Sequence, residues 1–315
     1  MTGVQTCALP ILKKEGKKPK DKSKKKQQVD KFVPFSVESI PDKMPTDPDV
    51  IEKIFADLMN DQDLDKEKRQ PLIEKGIDFK WNLIKSQQKT DKTTPAPQFL
   101  LDQLKSKVTN EVLENIQVIL KSGRISWCMT FIELGGHLYL LKLLSRILSE
   151  KDEIDHMLLT NSLLCIRHIC NIKNANKEMA NQISYLPMLV HAYIPSFPRT
   201  VEIVMQILLA FLYSGENDQK SANIIVKEIK VDDWEKWATC FTTEFNFNNI
   251  LIVFLNGLWM STKEIPEIRW ELLRRLKESG FFSEFEKLNS ESDLTISIRK
   301  QLKFMNSIYP KKALN

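Results

Sequence analysis

Four histidines and five cysteines supply the imidazole and thiol groups with which this 315-residue chain could hold a zinc-type metal or build a cysteine nucleophile. Cys165, His168 and Cys170 come nearest to a ligand set. On a helix Cys165 and His168 share a face, but Cys170 points away from His168. No fourth ligand stands nearby, and a closed zinc site needs four. The preferred reading is small residues packed inside a helix. His137, His156, His168 and His191 contain no pair at the i, i+4 spacing of a helical metal site. No Walker-type or Rossmann glycine loop is present, and no serine, cysteine or histidine constellation resembles a nucleophile elbow or triad. Gly135 and Gly136 read as a helix break. The expectation is a non-enzymatic binding scaffold without cofactor or metal.

The element that organises the chain is the stretch 122–149, SGRISWCMTFIELGGHLYLLKLLSRILS. Leu140, Leu141, Leu144, Ile147 and Leu148 recur at helical spacing just after the glycine pair, so one apolar face needs covering. A single helix cannot bury it. HLYLLKLL from His137, YLPMLVHA from Tyr185, the tryptophan-bearing segment near Asp233 and GFFSEFEKL from Gly280 recur at about 48 residues, the range of armadillo and HEAT repeats. Residues 122–149 then read as the first full unit of a stacked-helix solenoid.

Composition agrees. Nine glycines and long segments rich in Leu, Ile, Lys and Glu indicate an all-α class, and no apolar run approaches the roughly 20 residues of a membrane helix. The net charge of +5 is local, because residues 13–31 hold ten Lys against three acids. That stretch is expected to be a disordered basic tail able to touch an acidic membrane leaflet; nucleic-acid binding is not expected. Residues 1–11 resemble a translated sequencing adapter and are set aside as non-native. The cysteine pattern lacks a disulfide framework and suggests a reducing, cytoplasmic setting.

Along the chain, Asp47 and Pro48 make an N-cap and first-turn pair. The helix they open carries Ile51, Ile54, Phe55 and Leu58. A second helix, opened near Pro71, carries Ile73, Ile77, Trp81 and Ile84, giving a helical hairpin followed by a polar hinge over residues 86–97. Further on, Arg167 and Asn171 form a polar ridge beside an apolar helix face. In MQILLAFLY from Met205, Ile207, Ala210 and Tyr213 step by three. That segment either is fully buried or lines a groove for a partner's amphipathic helix. A last helix is expected over residues 294–308.

The runs IEKIFADLMNDQDLDKEKRQPLIEK from Ile51, ISWCMTFIELGGHLYLLKLL from Ile125, CIRHICN from Cys165, LPMLVHAYIPSFP from Leu186 and EIRWELLRRLKESGF from Glu267 resemble, in order and separation, the regulatory half of the diaphanous-related formins. The resemblance implies an armadillo-repeat (formin-homology-three) domain over 121–310, preceded by a GTPase-binding helical subdomain over 46–120 and a basic region over 1–45. It implies that a GTP-loaded Rho-family GTPase docks at Ile54, Phe55, Leu58, Lys68, Arg69, Leu72, Lys121 and Arg124. It also implies that a groove at Arg167, Asn171, Ile207, Ala210 and Tyr213 holds the formin's own C-terminal autoregulatory helix. Actin is then reached only through the other half of the formin, at the cytoskeleton and cell cortex. At the 121–125 turn this chain has Lys121, Ser122, Gly123 and Arg124 where the family has an Asn-rich turn. The same pair of domains in an exchange factor or GTPase-activating protein is the alternative.

Overall fold

Asp47 and Pro48 start the first helix as expected: the Asp47 carboxylate accepts from the Asp49 amide at 3.0 Å, and proline fills the first turn, where an N–H has no helical acceptor. The computed structural model describes residues 40–62, 64, 66–122, 124–149, 155–193, 197–213, 217–239, 245–289, 298–300 and 302–303, all within one unit, Pro34–Asn315. The basic stretch 13–31, residues 1–11 and most of the expected last helix lie outside the described residues.

Three helices open the fold: α1 (Pro48–Asp61), α2 (Lys66–Ile73) and α3 (Ile77–Thr93). α1 and α3 pack together around Ile40, Ile51, Phe55, Leu58, Met59, Trp81 and Ile84, with Leu72 of α2 against the cluster. The second helix does not open at Pro71. That proline lies inside α2, and Gly76 precedes α3 as its N-cap.

The expected hinge at 86–97 is also corrected, because α3 continues as helix to Thr93. Residues 86–93 hold neither Gly nor Pro, and Gln87, Gln88, Lys89 and Lys92 suit a helix. Gln87 donates to Asp91 at 3.1 Å, one turn on, and Gln88 is buried, accepting from Lys85 at 2.5 Å.

The rest is a stack of three-helix units. α4 (Pro97–Ser106) packs on α5 and α6. The units are α5 (Asn110–Ser122), α6 (Ile125–Glu133) and α7 (Gly136–Ser149); α8 (His156–Asn171), α9 (Lys173–Ala180) and α10 (Leu186–Val190); α11 (Pro198–Leu212), α12 (Asp218–Glu228) and α13 (Val231–Thr239); and α14 (Phe245–Ser261), α15 (Pro266–Glu278) and α16 (Phe281–Asn289). The first helices form a continuous row in which α5 packs on α8, α8 on α11 and α11 on α14. Among the described residues every regular element is helical, so the chain is an all-α solenoid.

The expected period is present and its phase shifts by one helix. The segments aligned in sequence are the third helices α7, α10, α13 and α16, whereas each unit begins earlier, at α5 for the first. Gly135 ends α6 at φ +82, and Gly280 plays the same part between α15 and α16 at φ +70, the left-handed region that glycine enters without strain. Gly136 lies beneath the Phe131 ring, which a Cβ there would meet at 2.4 Å.

Candidate functional site

Two surfaces carry the expected docking residues. On the hairpin, Phe55 and Leu58 are buried in the α1/α3 core, so neither faces a partner. Burial follows from their positions: with Ile51 they sit at i, i+4 and i+7, the stripe turned toward α3. Ile54 and Leu72 are half-buried, flank the same cluster and remain partly accessible. Lys68 is exposed, and Arg69 reaches Asn60 at 3.2 Å. The sequence reading missed Val50, one turn before Ile54 on α1, and Ile73 and Phe79, all large apolar side chains exposed on the hairpin.

Lys121 is exposed at the end of α5. Arg124 is not a free surface cation. Its Nη1 lies 3.1 Å from the Asp91 carboxylate of α3 and its Nε 3.4 Å from that of Asp61, the last residue of α1. Asp61 is 1% exposed and accepts from both the Ser126 amide and the Ser126 hydroxyl, each at 2.7 Å. Its carboxyl is therefore placed at the first turn of α6, where helical N–H groups lack partners. Burial raises its pKa, while Ser126 and Arg124 oppose the rise. The Trp127 indole donates to the Pro95 carbonyl at 2.9 Å. Together these bonds tie both main helices of the hairpin to α6.

On the solenoid, Arg167, Asn171, Ala210 and Tyr213 belong to the adjacent row helices α8 and α11, Tyr213 as the C-cap of α11. Ile207 does not join them, since it is fully buried. Steps of three drift by about 60° each around a helix of 3.6 residues per turn, so Ile207 stands about 120° from residue 213 and falls on the buried side. The least buried line of α11 instead runs through half-buried Glu202, Gln206 and Ala210 to exposed Tyr213. Met205, Leu208, Leu209, Phe211 and Leu212 are core, so the segment is buried on most of its circumference and open along one line. Arg167 donates to Gln206 at 3.2 Å and Tyr213 is 48% exposed. Gly257 of α14 brings that helix close: a Cβ there would meet Leu209 at 3.1 Å and the Tyr213 hydroxyl at 3.3 Å.

Among the described residues no group of three or more His, Cys, Asp or Glu could hold a metal ion. Burial pushes the Cys128 and Cys170 thiols up to about 12, and Cys165, also raised, donates to the Leu113 carbonyl at 3.3 Å. His168 is driven down to about 4 by burial and by its cationic neighbours Arg167 and Lys121. Burial keeps the three thiols protonated and the His168 imidazole neutral.

An all-α stack carrying a clamped N-terminal hairpin defines a helical binding scaffold. The family model of the Diaphanous GTPase-binding Domain matches residues 42–213, from the hairpin through α11. The chain belongs to that family and corresponds to the N-terminal regulatory region of a diaphanous-related formin. It is 26% identical over 178 residues to protein diaphanous homolog 3 of Mus musculus, an overlap covering 52% of this chain and 15% of that protein. The Homo sapiens homolog is 25% identical over 179 residues, again 52% and 15% of the two chains. The fold is similar to that in the crystal structure of E. histolytica Formin1 bound to EhRho1-GTPgammaS, with a TM-score of 0.61, 16% identity, and coverage of 82% of this chain and 95% of that one.

Proposed function

We propose that the chain binds a GTP-loaded Rho-family GTPase through the hairpin and the α5–α6 turn. We propose further that, without the GTPase, it holds the formin's C-terminal autoregulatory helix on α8 and α11 and so keeps actin assembly off. The observation that carries the reading is the family match over residues 42–213, which takes in both surfaces. The complex with a GTPase named for the E. histolytica formin supports the first part. The subdomains are assigned to 46–120 and 121–310. Their boundary falls at the end of α5, a row helix packed on α8, so the two surfaces share one structural element.

On this reading Ile54, Leu72 and the missed Val50 and Ile73 supply apolar area at about 25 cal/mol per Å2. Lys68, Arg69 and Lys121 supply charge, while Phe55 and Leu58 hold the hairpin in shape. Arg124 acts through the joint. For the tail, Ala210 allows close approach, Tyr213 supplies area and Arg167 meets an acid. Actin assembly resides in the other part of the formin, the protein works in the cytoplasm at the cell cortex, and the Lys-rich stretch is assigned to acidic membrane.

The test is titration of the chain with Rho-type GTPases carrying a non-hydrolysable GTP analogue or GDP. Binding confined to the GTP form supports the effector role; equal affinity for both forms, or none for either, sinks it. For the groove, Ala210→Asp weakens an autoregulatory-helix peptide by about 2 kcal/mol, roughly thirtyfold. An unchanged dissociation constant removes the groove assignment.

A further inference from the structure

Thr94 is the one Ser or Thr in the 315 residues that is followed by proline. It stands where the hairpin is tied to the solenoid. As C-cap of α3 it has an extended backbone, φ −76 and ψ 124, the conformation a following proline favours, and Pro95 and Ala96 after it are exposed. Its hydroxyl donates to the Thr90 carbonyl at 2.8 Å, a bond within the last helical turn, which is the part of a helix that frays first.

Two ties to α6 leave from either side of this residue. Asp91, three residues earlier and therefore on the same helix face, holds Arg124 at 3.1 Å; Pro95, the next residue, accepts from Trp127 at 2.9 Å. Arg124 in turn reaches buried Asp61 at 3.4 Å. A group added at Thr94 thus acts on the α3–α6 joint.

We propose that Thr94 is a phosphorylation site for a proline-directed protein kinase, and that its phosphate opens the joint between the hairpin and α6. The γ-phosphoryl group of ATP passes to Thr94 Oγ1. The Oγ1–P bond forms, the bond from the γ-phosphorus to the bridging oxygen breaks, ADP leaves, and the hydroxyl proton goes to the kinase's catalytic aspartate. The product carries about −1.5 to −2 charges.

Three effects then act in one direction. The phosphate opposes the negative end of the α3 dipole. It repels Asp91, one turn away, and competes with both Asp91 and Asp61 for the Arg124 guanidinium, because phosphate is a strong bidentate acceptor. Loss of the helical end at Thr94 moves Pro95, and with it the acceptor of Trp127. Asp61 is left with Ser126 alone.

The full chain is incubated with ATP and either a cyclin-dependent or a mitogen-activated protein kinase, and phosphate is located by peptide mass spectrometry. One phosphate on Thr94 is expected, and none at that position in Thr94→Val, which keeps the branched shape without the hydroxyl. Hydrogen exchange then compares the two forms: amides of residues 88–94 and 124–127 exchange faster by on the order of tenfold after phosphorylation, while those of α11 and α14 do not change. Absence of phosphate from Thr94 with both kinases overturns the site. Phosphorylated protein whose 124–127 amides keep their protection overturns the opening of the joint. Neither readout contains a GTPase, so the proposal and the effector reading fail separately.

Discussion

The hairpin joint and the row of first helices both join segments far apart in sequence, with opposite chemistry. At the joint, Asp61 is buried with its charge and answered by Ser126 and Arg124, and Arg124 is shared with Asp91. In the row, Leu163 and Ile166 of α8, Val204 and Leu208 of α11 and Leu251 and Leu255 of α14 are buried apolar groups, and glycine at 257 sets a close approach. Apolar packing is non-directional and tolerates small slides between units. Hydrogen bonds to a buried carboxylate are satisfied in one geometry, so the joint fixes an angle where the row fixes only a stacking order.

The sharpest way to break this contrast is Asp61→Ala, which strands the Ser126 amide and hydroxyl and takes one of two carboxylates from Arg124. Urea denaturation is expected to show a loss of about 4 kcal/mol. A loss below about 1 kcal/mol would mean that the joint is held by its apolar neighbours instead. Next in size is Gly257→Leu in the row. The added side chain meets Leu209 and Leu212, so about 3 kcal/mol should be lost in the same assay. A near-neutral result would show that α14 can slide.

The row also carries a pH signature. His168 titrates near 4 in the folded chain against an ordinary value of 6.5, so the unfolded chain takes up a proton that the folded one refuses. Its contribution is therefore intact above pH 6.5 and is lost as pH falls toward 4, by about 3 kcal/mol. Denaturation midpoints of the chain and of His168→Gln across that window measure it; parallel curves would contradict the assignment. Smaller again is Arg275→Ala. Arg275 donates to the Lys227 and Ile229 carbonyls at the end of α12, tying the last two units, and about 1 kcal/mol is expected. Smallest is Arg274→Ala on the same helix, whose exposed pairs with Glu271 and Glu278 should leave Tm unchanged.

Much of this fold is legible in local sequence because its causes are local. Asp47 and Pro48 mark a helix start through their own side chains, Gly135 marks a turn through its own backbone, and the recurrence of Leu-rich segments gives the repeat length. The phase of the repeat was not legible, since the third helices are the most similar in pattern while the first helices make the row. The same limit governs the candidate surfaces. Residue type alone does not tell Ile54 from Phe55, and only the placement of α3 decides that the second is core. Arg124 looks like a free cation until α1 and α3 bring Asp61 and Asp91 to it, from 63 and 33 residues away in sequence. The unbroken helix through residues 86–93 shows the converse: a polar stretch without Gly or Pro continues a helix when Gln88 is buried and Asp91 is held by Arg124.

That unbroken helix has a mechanical consequence. α3 runs 17 residues, about 25 Å, from Ile77 to Thr93, and it is anchored near its far end at Asp91. A load applied near Ile77 cannot dissipate by swinging about a loop. It is delivered as torque to Arg124 and the first turn of α6, and from there to the first unit of the stack. The hairpin is a lever whose fulcrum is an ion pair.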